Sequence, residues 1–95
     1  MQYQLSLLAE RDLVGIAQST RERWGDEQAR RYGQLLEDTL QQLLTNPLIG
    51  RTRPELYTEA RSFPAGSHIV FYRATPFGIE VARVLHKHMD IEKQF

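Results

Sequence analysis

Apolar and polar residues alternate at the start of the chain, with Tyr3, Leu5 and Leu7 separated by Gln4 and Ser6, the period of two that marks a half-buried strand. From Ala9 the spacing becomes helical. Leu13, Ile16, Ala17, Thr20 and Trp24 fall on one stripe, with Glu10 and Asp12 near the positive end of the helix dipole and Arg21 and Arg23 near the other. Gly25 is placed to terminate this helix and Asp26 to cap a second one. The second helix carries an inward stripe of Ala29, Tyr32, Leu36, Leu40, Leu43 and Leu44 before Asn46 and Pro47 end it. Helices joined so closely must pack as a hairpin, and their stripes can cover one face of a small sheet. Residues 48–59 contain Gly50, Pro54 and few apolar anchors, and read as a connecting loop.

The span from Arg61 to Asp90 predicts three short strands joined by two tight turns, one at Pro64, Ala65 and Gly66, the other at Thr75 to Gly78. Centring the second turn on Pro76 and Phe77 sets Ala74 against Ile79, Arg73 against Glu80, Tyr72 against Val81 and Val70 against Arg83. Centring the first on Ala65 and Gly66 sets Phe63 against His68 and Arg61 against Val70. One face then carries Arg61, Phe63, His68, Val70, Tyr72, Val81, Arg83 and Leu85. The other carries Ser62, Ile69, Phe71, Arg73, Glu80, Ala82, Val84 and His86. Arg73 has a cross-strand acid in Glu80, a structural ion pair, whereas Arg61 and Arg83 have none in register. The face with Ile69 and Phe71 is therefore expected to meet the helices, and the two-arginine face to stay partly open. The order strand, helix, helix, strand, strand, strand defines an α+β domain over residues 1–95, an antiparallel sheet with two helices on one face. Ile91 and Phe95 are candidate packing residues in the tail.

Composition narrows the function. The chain has 95 residues, enough for one domain of the usual range of about 50–250 residues. No segment approaches the ~18 apolar residues of a membrane span, and no secretory signal opens the chain, so the expected location is cytoplasmic and no membrane partner is expected. There is no cysteine, which removes disulfides, thiolate nucleophiles and the common structural zinc sites. Twelve Lys and Arg balance 12 Asp and Glu, which argues against a protein that mainly grips phosphate backbones. Residues 51–88 are nonetheless positive, with Arg51, Arg53, Arg61, Arg73, Arg83 and Lys87 against Glu55, Glu59 and Glu80. His86 and His88 share one side of a strand end, but no acid or cysteine cluster completes a metal site, and no phosphate loop, nucleophile elbow or dinucleotide fingerprint is present. No cofactor and no metal are expected. Trp24 and Tyr32 read as helix-packing residues.

The order of elements, with LSLLAERDL at residues 5–13, WGDEQARRY at 24–32, NPLIGRTRPEL at 46–56, RSFPAGSHIVFYR at 61–73 and RVLHKHMD at 83–90, resembles the ParE toxins of bacterial type II toxin-antitoxin systems, within the RelE and ParE superfamily. The likeness spans nearly the whole chain. It implies a small RelE/ParE-like fold and a toxin that binds DNA gyrase, traps the cleaved DNA complex and serves plasmid stabilisation. It also implies a ParD-like antitoxin that holds the toxin inactive in a hetero-oligomer repressing its own promoter, so that DNA is met only through antitoxin or gyrase. On that reading Arg61, Tyr72, Val81, Arg83 and Leu85 are the candidate target-binding or antitoxin-binding residues, and no residue is catalytic. The alternative within the superfamily is a RelE-like toxin, a ribosome-dependent endoribonuclease, with Arg61, Arg83 and His86 as its catalytic candidates. Such a site needs a base for the ribose 2′-hydroxyl, an acid for the leaving oxygen and several cations for the phosphorane. This chain has only Lys87 and Lys93 as lysines and no tyrosine after Tyr72. A third possibility is a ParE-like protein that binds its antitoxin without being toxic.

Overall fold

The computed structural model describes residues 2–95. Strand β1 (Gln2–Leu5) leads into helix α1 (Leu7–Trp24), which turns directly into α2 (Asp26–Thr45). Then come β2 (Arg51–Thr52), β3 (Arg61–Ala65), β4 (His68–Thr75) and β5 (Gly78–His86), followed by a 3₁₀ turn at Ile91–Gln94. The five strands form one sheet in the order β1-β5-β4-β3-β2. The later strands pair antiparallel as expected, but β1 lies parallel to β5, so the sheet is mixed. No turn joins β1 to β5, and nothing local sets their relative sense. The two-residue β2 inside the 48–59 segment is an addition to the expected elements, held as an edge strand on β3.

Local chemistry explains the boundaries. Strand β1 stops at Leu5 because Ser6 caps α1, its Oγ accepting from the Ala9 amide at 3.0 Å while donating to the Ala82 carbonyl at 2.6 Å. Leu7 therefore belongs to the helix rather than the strand, and it is exposed. Gly25, at φ 91°, ends α1 and also caps α2, so Asp26 is the first helical residue rather than the cap and lies beside Arg21 instead. Such a backbone angle suits glycine, which has no Cβ to clash. Leu36, Leu40, Leu43 and Leu44 of α2 are buried against the sheet, with Thr39 beside them.

The turn after β4 falls at Pro76 and Phe77, and Ala74–Ile79, Arg73–Glu80 and Tyr72–Val81 pair as expected. Two registers differ. The first turn is Gly66–Ser67, with Gly66 at φ 58°, so Arg61 meets Tyr72 and Phe63 meets Val70. That shift is an even number of positions and leaves the faces of β3 unchanged. A β-bulge between Phe71 and Tyr72 is more consequential: beyond it Phe71 pairs with Arg83 and Val70 with Val84. An extra residue on one strand turns everything after it to the other face. Arg83 and Leu85 thereby leave the face of Arg61, and Val84 joins it.

The face that meets the helices is also the reverse of the expectation. Val70, Tyr72, Ile79, Val81 and Val84 form one core with Ala9, Leu36, Leu40, Leu43 and Leu44. The opposite face, with Phe71, is covered by the 53–60 loop and the chain after Asp90: Phe95 packs edge-on against Phe71 at 5.3 Å between centroids and also contacts the Tyr57 ring. The two arginines did not mark an open face because each reaches past the sheet to a partner elsewhere.

Candidate partner-binding surface

The five residues expected to bind a target or antitoxin do not form an exposed patch. Tyr72 and Val81 are 0% exposed and Leu85 is 2% exposed. The Tyr72 hydroxyl donates to the Pro47 carbonyl at 2.7 Å and accepts from the Gly50 amide at 3.0 Å, which is how a phenol can lie wholly inside. Arg61 grips the same loop, donating to the carbonyls of Leu48 at 3.1 Å and Gly50 at 2.8 Å. Arg83 makes a two-pronged bond to Asp12 at 2.8 and 3.0 Å and a third to the Gln94 carbonyl. Its acid comes from α1, 71 residues away in sequence, where strand register offers no hint. Arg73 and Glu80 pair at 3.0 Å with both side chains partly exposed, an interaction worth at most about 1 kcal/mol.

Arg61, Arg83 and His86 likewise do not converge on one point. Arg61 serves the loop after α2, Arg83 is neutralised by Asp12, and His86 belongs to a stack of imidazoles. The His86 ring lies edge-on to His68 at 5.2 Å and 5.0 Å from His88. His68 is tied in turn to Tyr32, whose hydroxyl faces its Nδ1 and accepts from the Ser67 amide at 2.9 Å, so α2 clasps the β3–β4 turn. Among the described residues no group of three or more His, Cys, Asp or Glu side chains is arranged to hold a metal ion.

Burial pushes the His68 pKa below its ordinary value of 6.5, reinforced by His86 and opposed by Asp12. A group whose folded pKa is depressed in this sense binds its proton more readily once the chain unfolds. The His68 contribution is then full above pH 6.5 and erodes as pH falls below it. Thermal melts between pH 7.5 and 5 should show a falling Tm in the native protein and a shallower slope in His68→Gln. Parallel slopes would mean that His68 does not carry the effect.

One open surface is a groove between α1 and the ends of β4 and β5. Arg11, Gly15, Ser19 and Arg23 recur every four residues and so share one face, with Ile16 and Thr20 beside them. The opposite wall is His68, Val84 and His86 from the ends of β4 and β5, and Tyr32 and Met89 contribute to the lining. The cavity measures about 650 Å³. Trp24, expected to pack between helices, instead stands 70% exposed on its rim, and Met89 is 41% exposed. Trp24 is the last residue of α1, immediately before the Gly25 turn. Periodicity alone could not separate that from an inward position.

The match to known families follows this architecture. Residues 3–91 match the model for the ParE toxin of type II toxin-antitoxin systems, parDE. The chain belongs to the ParE toxin family. Toxin ParE1 of Mycobacterium tuberculosis (strain H37Rv) is 41% identical over 92 residues, covering 96% of this chain and 94% of that protein. Toxin ParE1 of Caulobacter vibrioides is 38% identical over 88 residues, covering 93% and 91%. Toxin ParE of Escherichia coli is 36% identical over 91 residues, covering 94% and 87%. A solved chain of the chromosomal ParDE system from P. aeruginosa superposes with a TM-score of 0.75 over 90% of this chain and 95% of its own, at 19% identity, and so shares the fold. No helix among the described residues of this ParE-family chain is long and apolar enough to cross a membrane.

Proposed function

We propose that this chain is a toxin that inhibits DNA gyrase in the cytoplasm by binding it, and that a ParD-like antitoxin holds it inactive. The observation that carries this reading is the end-to-end likeness to proteins named Toxin ParE, led by 41% identity across 96% of the chain. The chemistry of the side chains supports action by binding. A ribonuclease would need free cations around the phosphorane, and Arg83 is committed to Asp12 while Arg61 is committed to two backbone carbonyls.

Purified protein should inhibit gyrase supercoiling at near-stoichiometric ratio, with activity restored by a cognate ParD-like antitoxin, and should leave translated messenger RNA intact. Gyrase unaffected at excess toxin, together with codon-linked RNA cuts, would replace this reading with the endoribonuclease one. Both assays negative, with a stable antitoxin complex, would leave a protein that only binds its antitoxin.

A further inference from the structure

We propose that the cavity between α1, α2 and β1 is a binding site for a small organic amine, a phenyl-sized apolar body carrying one ammonium group that Glu37 holds. The cavity lies on the α2-facing side of α1 and owes nothing to the gyrase or antitoxin reading.

Small residues leave the space. Ala17 of α1 and Ala29 and Gly33 of α2 line it, and a Cβ added at Gly33 meets nothing within 4 Å. Glycine is the poorest residue after proline for a helix interior, so α2 itself gives no reason for one at position 33. Leu13, Ile16, Leu36 and Leu40 supply an apolar floor continuous with the core, and Tyr3 and Tyr32 add aromatic rings to the lining. The volume is about 200 Å³. A dry apolar cavity of about 150 Å³ takes up benzene, so this one has room for a phenyl ring and a short chain.

The polar atoms of the lining select the head group. The Tyr3 hydroxyl donates to Glu37 Oε2 at 2.7 Å, Thr20 Oγ1 donates to the Ile16 carbonyl at 2.6 Å, and the Tyr32 hydroxyl is engaged with Ala65 and His68. Each hydroxyl hydrogen is therefore committed, and the side chains offer the cavity acceptor lone pairs alone. Glu37 is the only acid in the lining, which contains no lysine, arginine or histidine. It also accepts from Gln41 at 3.0 Å, yet among the described residues it pairs with no cation. A half-buried carboxylate beside aromatic rings suits an ammonium, which gains a charge-assisted hydrogen bond and a cation–π contact together. An anionic ligand would meet lone pairs and a like charge. The bond to Glu37 is also the chief cause that raises the Tyr3 pKa, which keeps the phenol a donor rather than a second anion.

Phenethylamine is the probe, with phenethyl alcohol as its neutral isostere and phenylacetate as the anion. Titrated into isotope-labelled protein, the amine should shift the Gly33 and Ala17 amide resonances saturably and raise Tm. It should bind at least about tenfold more tightly than the alcohol, and phenylacetate should not bind. Glu37→Gln should lower the amine to the affinity of the alcohol and leave the alcohol unchanged. Gly33→Leu and Ala17→Leu fill the cavity from its two helical walls, and each should abolish binding of both ligands without lowering Tm. Equal binding of amine and alcohol by the native protein, or undiminished amine binding by Glu37→Gln, would overturn the proposal and leave an unselective apolar void. Resonances of Gly33 and Ala17 that no probe moves would overturn it as well, as would normal amine binding by both leucine variants.

Discussion

Asp12→Ala should destabilise the fold by about 3 kcal/mol or more, among the largest effects expected from any single side chain outside the apolar core. Both Asp12 and Arg83 are 14% exposed at the side chain, and removing the carboxylate from so shielded a pair leaves the Arg83 charge with only the neutral Gln94 carbonyl, toward the low end of the typical cost of about 3–5 kcal/mol. Asp12 also accepts from the Val84 amide at 3.0 Å, where β5 runs past the end of β1 and has no strand on that side. One carboxylate therefore closes an open sheet edge and neutralises the arginine beside it. In a domain of this size each kcal/mol moves Tm by roughly 4–8 °C, so the melt should fall by more than about 10 °C. Asp12→Asn keeps an acceptor for Val84 and should lose less. Asp12→Leu combined with Arg83→Met should recover part of the loss, since an apolar pair leaves no buried charge. By contrast Arg73→Ala should cost less than about 1 kcal/mol, because that pair is partly solvated. Urea titrations of the four proteins decide the matter: an Asp12→Ala variant as stable as Arg73→Ala would show that the Asp12–Arg83 bond is not structural.

The same pair explains where sequence reading succeeds and where it stops. Turns are local, so Pro76 and Phe77 located the β4–β5 turn, and with it the Arg73–Glu80 pair. Helix stripes are local as well, and Leu36, Leu40, Leu43 and Leu44 are buried as their spacing requires. The bulge opposite Tyr72 is different. Neither Ala82 nor its neighbours carries the glycine or proline that would advertise an extra residue, and one unadvertised residue moves Arg83 and Leu85 to the other face. The acid for Arg83 lies on a helix, and the acceptors for Arg61 are backbone carbonyls, which every sequence has and none announces. Counting acids in register therefore made both arginines look free. The groove was invisible for the complementary reason: its cations, Arg11 and Arg23, read as ordinary solvated helix charges until α1 was placed against the ends of β4 and β5.

Tyr72 shows how far the inversion of faces reaches, and it carries the second large effect. Its side chain is wholly buried, so Tyr72→Ala should cost about 3–5 kcal/mol from lost packing alone. Tyr72→Phe removes only the hydroxyl, but that atom serves Pro47 and Gly50 together, and orphaning them should cost about 1–3 kcal/mol. The loop is built around this contact. A Cβ at Gly50 would collide with the Tyr72 ring and hydroxyl, so Gly50→Ala should be damaging alone and less so in the Tyr72→Phe background, where the closest obstructing atom is gone. Burial also raises the phenol's pKa above its ordinary 10.0, against the lowering effects of Gly50 and Arg61. The unfolded chain then loses its proton first, and stability falls as pH rises above 10. Tyr57, pushed up to about 12 by burial with its hydroxyl unpaired, acts in the same direction. Denaturation at pH 8 and pH 10.5 should therefore show an alkaline loss that shrinks in Tyr72→Phe without vanishing. A variant with unchanged stability at pH 8 and an undiminished alkaline slope would mean that the hydroxyl does not hold the loop, and that Arg61 alone fixes residues 48–50.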